Sequence, residues 1–330
     1  MEGRFEDASH QLEIMKTHIP KSGIWSQVYP LHLKDSGEKV MIKAYLEVTE
    51  DDVLDDIAAL RFLGKPGEIY VPALMGSFND PSTSLPSLVF SGTIMSLRKR
   101  CVRKIGHVSS KEDCKWRLFV SLIPLLQQLI DALEWLHRKG FVHMELSMET
   151  VMVDQPPEKH GHIQLFNIGC PRPANIPSAG RLQPLGACRY LPLEVLQGGV
   201  YTHDGDIYGF GLIMWELWNG QQVYDDASDV TVEEFTNRLL TGEAVLSALS
   251  DVHGANAQGL ETKWWAIIQK CTQRQPEERL NQNQIKRELE AYVGSILAKP
   301  TLKKGYEPVT PQLPQVNYKP GYRNPDISES

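Results

Sequence analysis

Phe141-Val142-His143-Met144-Glu145-Leu146-Ser147-Met148-Glu149-Thr150-Val151-Met152-Val153 is the stretch that decides the fold. An imidazole, His143, and a carboxylate, Glu145, stand two residues apart, and the stretch closes on the apolar run Val151-Met152-Val153. It opens a short β region over residues 141–165. Just before it, Leu118, Leu122, Leu125, Leu126, Leu129, Leu133 and Leu136 form an apolar stripe at helical spacing, which predicts a long helix over 115–138. Further upstream, residues 26–46 alternate in strand fashion (Val28, Leu31, Leu33, then Val40, Ile42, Ala44) around a turn at Asp35-Ser36-Gly37 and predict a hairpin. Residues 50–63 place Val53, Ile57, Leu60 and Leu63 on one helix face behind an acidic start, Glu50-Asp51-Asp52. Two more strands are expected near Val71–Gly76 and Leu88–Phe90, separated by a polar turn at Asn79–Ser84. From Gly92 onward the pattern is helical, apart from the β region and an irregular Pro- and Gly-rich stretch at 169–188, as far as about Leu297. Strands first and helices later predict two lobes of different class.

Composition narrows the function classes. The chain has 330 residues, 42% hydrophobic and 23% charged, enough for one large domain or two lobes. A formal charge of −7 leaves no basic surplus to neutralise phosphates, which argues against a general nucleic-acid binder. The local clusters Lys99-Arg100 and Arg103-Lys104 read as solvated helix ends. The opening MEGRFEDASHQ lacks the apolar core of a signal peptide. The longest apolar segment, Leu122–Leu136, is interrupted by Gln127, Gln128 and Asp131, so no membrane span is expected. Five cysteines without a C-x-x-C spacing fit a reduced, cytoplasmic protein, and the isolated Cys101 and Cys114 argue against structural zinc.

Further segments complete a series. Lys21–Tyr29 contains Gly23, Trp25 and Val28; Val40-Met41-Ile42-Lys43 precedes a helix carrying Asp56; Asn167-Ile168-Gly169 follows the strand Ile163-Gln164-Leu165. Then come Gly186–Glu194, Asp206-Ile207-Tyr208-Gly209-Phe210-Gly211, Trp215-Glu216-Leu217 and Cys271–Arg279. In this order and at these spacings the segments resemble the protein kinase superfamily over about residues 20–295. The stretch 141–153 resembles the catalytic loop H-R-D-L-x-x-x-N, and Asp206–Gly211 and Trp215–Leu217 look most like the tyrosine-kinase-like group. The resemblance implies an α+β, bilobal fold. It has a β-rich N-lobe with one main helix (20–91) and a larger, mostly helical C-lobe (92–298), with an extension at 1–19 and a Pro-rich tail at 299–330.

The same resemblance implies a site. Gly23, Val28, Lys43 and Asp56 fall at nucleotide-binding positions, with Lys43 facing the phosphates and Asp56 as its helix partner, one methylene shorter than the family glutamate. Glu145 stands at the catalytic base, its oxygen displaced by the extra methylene; Thr150 and Asn167 stand at the two metal-ligand positions. Magnesium favours carboxylates, so neither replacement is a good ligand. Met144 removes the cation that reads an activation-loop phosphate, Ser147 replaces a phosphoryl-contacting lysine, and Ala187 replaces a threonine facing the catalytic aspartate. Between Gly169 and Glu194 there is no threonine and one serine, Ser178, so no phosphorylation switch is evident.

The structural positions are better kept. Leu60, His143 and Ile168 match the stacked apolar column, and Gly169 the glycine beside it. Asp206 matches the residue that holds the catalytic-loop backbone, and Glu194 and Arg279 match a buried ion pair. The pattern implies a catalytically impaired domain, a pseudokinase, acting as an intracellular signalling scaffold or allosteric partner. Such a protein needs no cofactor, although ATP binding without magnesium stays open, and its partners would include an active kinase or signalling complex. The alternative is a weak or atypical kinase using Lys43 and Glu145. In the tail, Pro308–Pro314 suits an SH3-type reader and Tyr306, Tyr318 and Tyr322 suit SH2-type readers, against the plainer reading of an unstructured terminus. Deleting the chain after Leu297 is expected to leave the melting temperature nearly unchanged; a collapse of the fold would show that the tail is docked.

Overall fold

The computed structural model describes residues 12–13, 26–33, 39–45, 50–64, 68–79, 86–92, 94–106, 112–154, 161–166, 172–173, 188–225, 230–257 and 259–299. The N-terminal part is a five-stranded antiparallel sheet. Its strands are β1 (Leu12–Glu13), β2 (Ser26–Leu33), β3 (Lys39–Tyr45), β4 (Leu74–Asn79) and β5 (Pro86–Ser91), in the order β1-β2-β3-β5-β4. The hairpin is present, with Val28 opposite Lys43. Helix α1 (Glu50–Leu63) follows it with the expected bounds. β3 is buried on both faces, and its alternation divides the packing. Met41 and Tyr45 join Val53, Ile57 and Leu60 of α1 in the main core, whereas Val40 and Ile42 pack with Phe78 and Val89 on the opposite face.

The later strands begin and end differently from the sequence expectation. β4 starts at Leu74 and still includes Asn79, so the turn opens later. The chain does not become helical at Gly92. A three-residue strand, β6 (Ile94–Ser96), pairs with β7 (Val151–Asp154), which pairs with β8 (Ile163–Leu165). Three residues are too few to display a period, and pairing 56 to 60 residues away supplies the partner. Helix α2 (Leu97–Gly106) begins directly after β6. The two basic clusters fall in its first and last turns, as expected of helix ends; Lys99 is exposed and Arg100 half-buried.

The C-terminal part is helical. α3 (Glu112–Arg138) turns its leucine stripe inward: Leu122, Leu125, Leu126, Leu129, Leu133 and Leu136 are all buried. Residues 118–138 of this helix are long and apolar enough to cross a membrane by length and composition, which the sequence reading did not expect. However, 61% of that apolar window is buried inside the protein, as suits a core helix. A short helix, α4 (Leu193–Leu196), and the pair β9 (Arg172–Pro173) and β10 (Val200–Tyr201) precede α5 (His203–Asn219), which lies buried through the centre. α3 and α7 (Glu261–Cys271) pack against α5, α8 (Gln282–Leu297) packs on α3 and α7, and α6 (Val232–Thr241) packs against α4. Asn281 and Gln284 start α8 with a reciprocal capping box. Residues 300–330, including the tail motifs, lie outside the described residues.

The helical core encloses a histidine. His253 packs edge-on or tilted against Trp116, Phe119 and Trp218, with one ring nitrogen 3.2 Å from the Trp218 carbonyl oxygen. Burial pushes its pKa down to about 4, and burial does the same to His143 in the loop. Both are neutral in the folded protein, whereas in the unfolded chain they titrate near ~6.5. Their contribution is complete above that pH and is lost as pH falls toward 4, at up to ~1.4 kcal/mol per pH unit for each. Urea midpoints measured from pH 7 to 5 are expected to decline, and less steeply in His253→Gln; an unchanged slope would contradict this assignment.

Candidate functional site

The site is built from β3, α1, the loop 141–150 and α5. Lys43 sits mid-strand between β2 and β5 and is 2% exposed, so it is an interior lysine, not an edge-strand surface one. Its ammonium is paired with the Asp56 carboxylate of α1. The shorter acid therefore reaches its partner. The Tyr45 hydroxyl donates to the same carboxylate oxygen, and the Lys43 ammonium lies 4.8 Å from the Tyr45 ring centre. Val28 meets this position through its backbone register opposite Lys43. Gly23 lies outside the described residues.

The loop is fastened to α5 by Asp206. Its carboxylate accepts from the His143 N–H at 2.8 Å, the Met144 N–H at 3.2 Å and the Tyr201 hydroxyl at 2.8 Å, and lies 2.7 Å from His137 Nε2. Burial alone would push this carboxyl up; the hydrogen bond and positive field of His137, with help from His143, hold it below the usual range. Two glycines let the pieces close. A Cβ at Gly205 would lie 2.8 Å from the Tyr201 ring, and one at Gly209 would lie 2.9 Å from the Leu146 carbonyl oxygen. Met144 is held at φ 68°, a left-handed conformation costly for a side-chain-bearing residue. Its side chain packs on the apolar cluster of Val142, Cys188, Leu191, Val195 and Tyr201.

The chemistry-bearing positions have other employment. The Thr150 hydroxyl donates to the Glu145 carbonyl oxygen, accepts from the Ser147 N–H at 3.0 Å and lies 3.0 Å from the Ser147 hydroxyl. It closes the loop on itself. A neutral hydroxyl oxygen that already accepts from the Ser147 N–H is a poor fit to magnesium, which favours carboxylates. Glu145 is half-buried at the loop's centre, and its negative field reaches Cys188 and Tyr201. Asn167, Ile168 and Gly169 lie outside the described residues. Phe166, just before them, is buried and packs edge-on against Phe90 at 5.1 Å, while Leu60 and His143 are also buried. No group of three or more His, Cys, Asp or Glu arranged to hold a metal occurs among the described residues.

Two ion-pair systems brace the C-terminal part. Arg279, 1% exposed, grips Glu194 with two hydrogen bonds of 2.7 and 2.9 Å and also donates to the Asp204 and Gln273 carbonyl oxygens. Arg98, from the first turn of α2, pairs with Glu149 at 2.6 Å and Glu216 at 2.7 Å. Tyr190 donates to Glu216 at 2.7 Å and the Val223 N–H donates to it at the same distance. Burial pushes the Glu216 carboxyl up, with Arg98 opposing. Sequence reasoning missed Tyr45, Arg98 and Tyr201. Only Tyr45 had a local signal: two residues beyond Lys43, it shares that lysine's face of the strand.

Comparison with known proteins agrees with this geometry. The family model described as "Protein kinase domain" matches residues 22–289. The chain is 26% identical over 205 residues to "Sporulation protein kinase mde3" of Schizosaccharomyces pombe, covering 60% of this chain and 33% of that protein. It is 32% identical over 142 residues to "CBL-interacting protein kinase 21" of Oryza sativa subsp. japonica, covering 42% and 24%. It is 28% identical over 113 residues to "Probable serine/threonine-protein kinase pknA2" of Bifidobacterium longum, covering 33% and 14%. The chain thus spans a third or less of the length of these relatives.

Tyr201→Phe removes one of four donors from a fully buried carboxylate and is expected to cost about 1.5–3 kcal/mol, read from the urea midpoint. A neutral result would mean that Asp206 does not depend on that hydroxyl.

Proposed function

The chain belongs to the protein kinase family, and from that premise we propose that it is a catalytically impaired member that works through protein contacts. It acts as a cytoplasmic signalling scaffold or allosteric partner, needs no cofactor, and engages an active kinase or signalling complex. The observation that carries this reading is Thr150. Its hydroxyl is spent on the Glu145 carbonyl and the Ser147 N–H, at the position where the family places a metal ligand. When magnesium is bound in a kinase it supplies charge stabilisation at the transferring phosphoryl group. Here the loop residues supply shape instead. Met144 supports the same reading, because an apolar seat replaces a phosphate-reading cation. The replacement of the second metal ligand by Asn167 is a further support, from sequence. The degenerate pocket can still take ATP without magnesium through Lys43. The tyrosine-kinase-like grouping is part of the proposal and rests on Asp206–Gly211 and Trp215–Leu217. SH3- and SH2-type readers of the tail remain proposed partners.

A second reading has one observation in its favour. The Lys43–Asp56 pair is made, and Glu145 keeps a carboxylate in the loop, as a weak or atypical kinase would need. The two are separated by adding ATP with and without magnesium while following thermal stability. A working site at about 100 times Kd adds ~2.7 kcal/mol of stability. Little or no magnesium-dependent shift is expected. A large shift, together with phosphotransfer abolished by Lys43→Met, would favour the second reading and overturn the first.

A further inference from the structure

Met41, Lys43 and Tyr45 share one face of β3, and that face meets α1. On it, three groups converge on one atom. The Asp56 Oδ2 oxygen receives both the Lys43 ammonium and the Tyr45 hydroxyl, while the Tyr45 ring faces the ammonium at 4.8 Å. All three residues are under 10% exposed. The other oxygen, Oδ1, is buried without a hydrogen-bond partner among the described residues. An aspartate in this place has a short reach and only two donors. Losing either would leave a buried carboxylate poorly satisfied. The tyrosine has its own need, since a buried phenol requires an acceptor. Burial, and then the neighbouring carboxylate, push its pKa up, so it remains a donor throughout the working pH range.

We propose that Tyr45 is a positioning residue: its hydroxyl fixes Asp56 and its ring backs Lys43, so that the Lys43–Asp56 pair is latched at the sheet–helix interface. The latch is a property of this strand pair. It compensates for the missing methylene of Asp56 by supplying a second donor that holds the acid's carboxylate toward the lysine. The inference rests on the reading of Lys43 as the phosphate-facing lysine and goes beyond it by naming the residue that holds its pair with Asp56 together.

The test is lysine-resolved acetylation of the full chain by a water-soluble N-hydroxysuccinimide ester, quantified by mass spectrometry. Lys39, exposed at the start of the same strand, is the internal reference. In the wild type Lys43 is expected to label at least ~100-fold more slowly than Lys39, since reaction requires opening of a buried pair. Tyr45→Phe is expected to raise the Lys43 rate tenfold or more. Adding Asp56→Glu to that variant is expected to restore protection, because the longer acid bridges unaided. Phe78→Leu, on the opposite face of the sheet, controls for general loosening and is expected to raise the rate less than Tyr45→Phe. Equal labelling of Lys43 and Lys39 in the wild type overturns the proposal whether or not the variants fold. So does a Tyr45→Phe rate equal to the wild type's, or a failure of Asp56→Glu to restore protection. Labelling reads the latch and phosphotransfer reads the catalytic impairment, so either idea can fail alone.

Discussion

The Asp206 carboxylate is the constraint around which the C-terminal part is arranged. It begins the central helix α5, carries a charge in a fully buried place, and is neutralised by donors from three other segments: α3 through His137, the loop through His143 and Met144, and β10 through Tyr201. A buried charge demands such partners, because each missing one leaves a desolvation cost uncompensated. Two of the four donors are backbone N–H groups. The hub therefore specifies where the loop runs without specifying the side chain at position 144. An arginine can become a methionine there while the left-handed backbone turn, and the geometry of everything beyond it, is kept.

That division between backbone and side chain runs through the site. Thr150 gives its hydroxyl to the loop's interior and keeps the turn from 145 to 150 closed. Met144 adds its side chain to the cluster around Cys188 and Leu191. Arg98 crosses from α2 to join Glu149 of the loop with Glu216 of α5. Each residue strengthens the frame, and none adds a metal ligand or a phosphate-reading charge. These contacts hold the loop's shape and are independent of phosphoryl chemistry.

Much of this was legible in the residues. The leucine stripe of α3, the alternation of β2 and β3 and the acid-started helix α1 are periodic, and periodicity survives without knowledge of tertiary contacts. Asp206, Glu194 and Arg279 were legible because the spacing of a whole series of motifs located them. β6 was not, since three residues carry no period and its partner lies far along the chain. The Arg98 network was hidden for a related reason: it joins residues 98, 149, 190 and 216, and no local pattern links them. The employment of Thr150 was partly legible. Its poor fit to a metal follows from composition, but its role as the loop's own staple depends on where the hydroxyl points. Gly23, Asn167, Ile168 and Gly169 fall outside the described residues, so their roles rest on motif spacing alone.

The Glu194–Arg279 pair joins positions 85 residues apart. Closing so long a loop costs entropy that is recovered only when both side chains arrive together, Arg279 buried and Glu194 still partly exposed. During synthesis Glu194 emerges well before its partner, and until Arg279 follows, the acid has only water for company. The C-terminal part is thus tied across its own length: α5 can form from local contacts, but the seam between α4 and the segment before α8 waits for Arg279. A nascent chain paused anywhere in those 85 residues would carry an unfinished seam, making this the interval in which a folding helper has the most to hold.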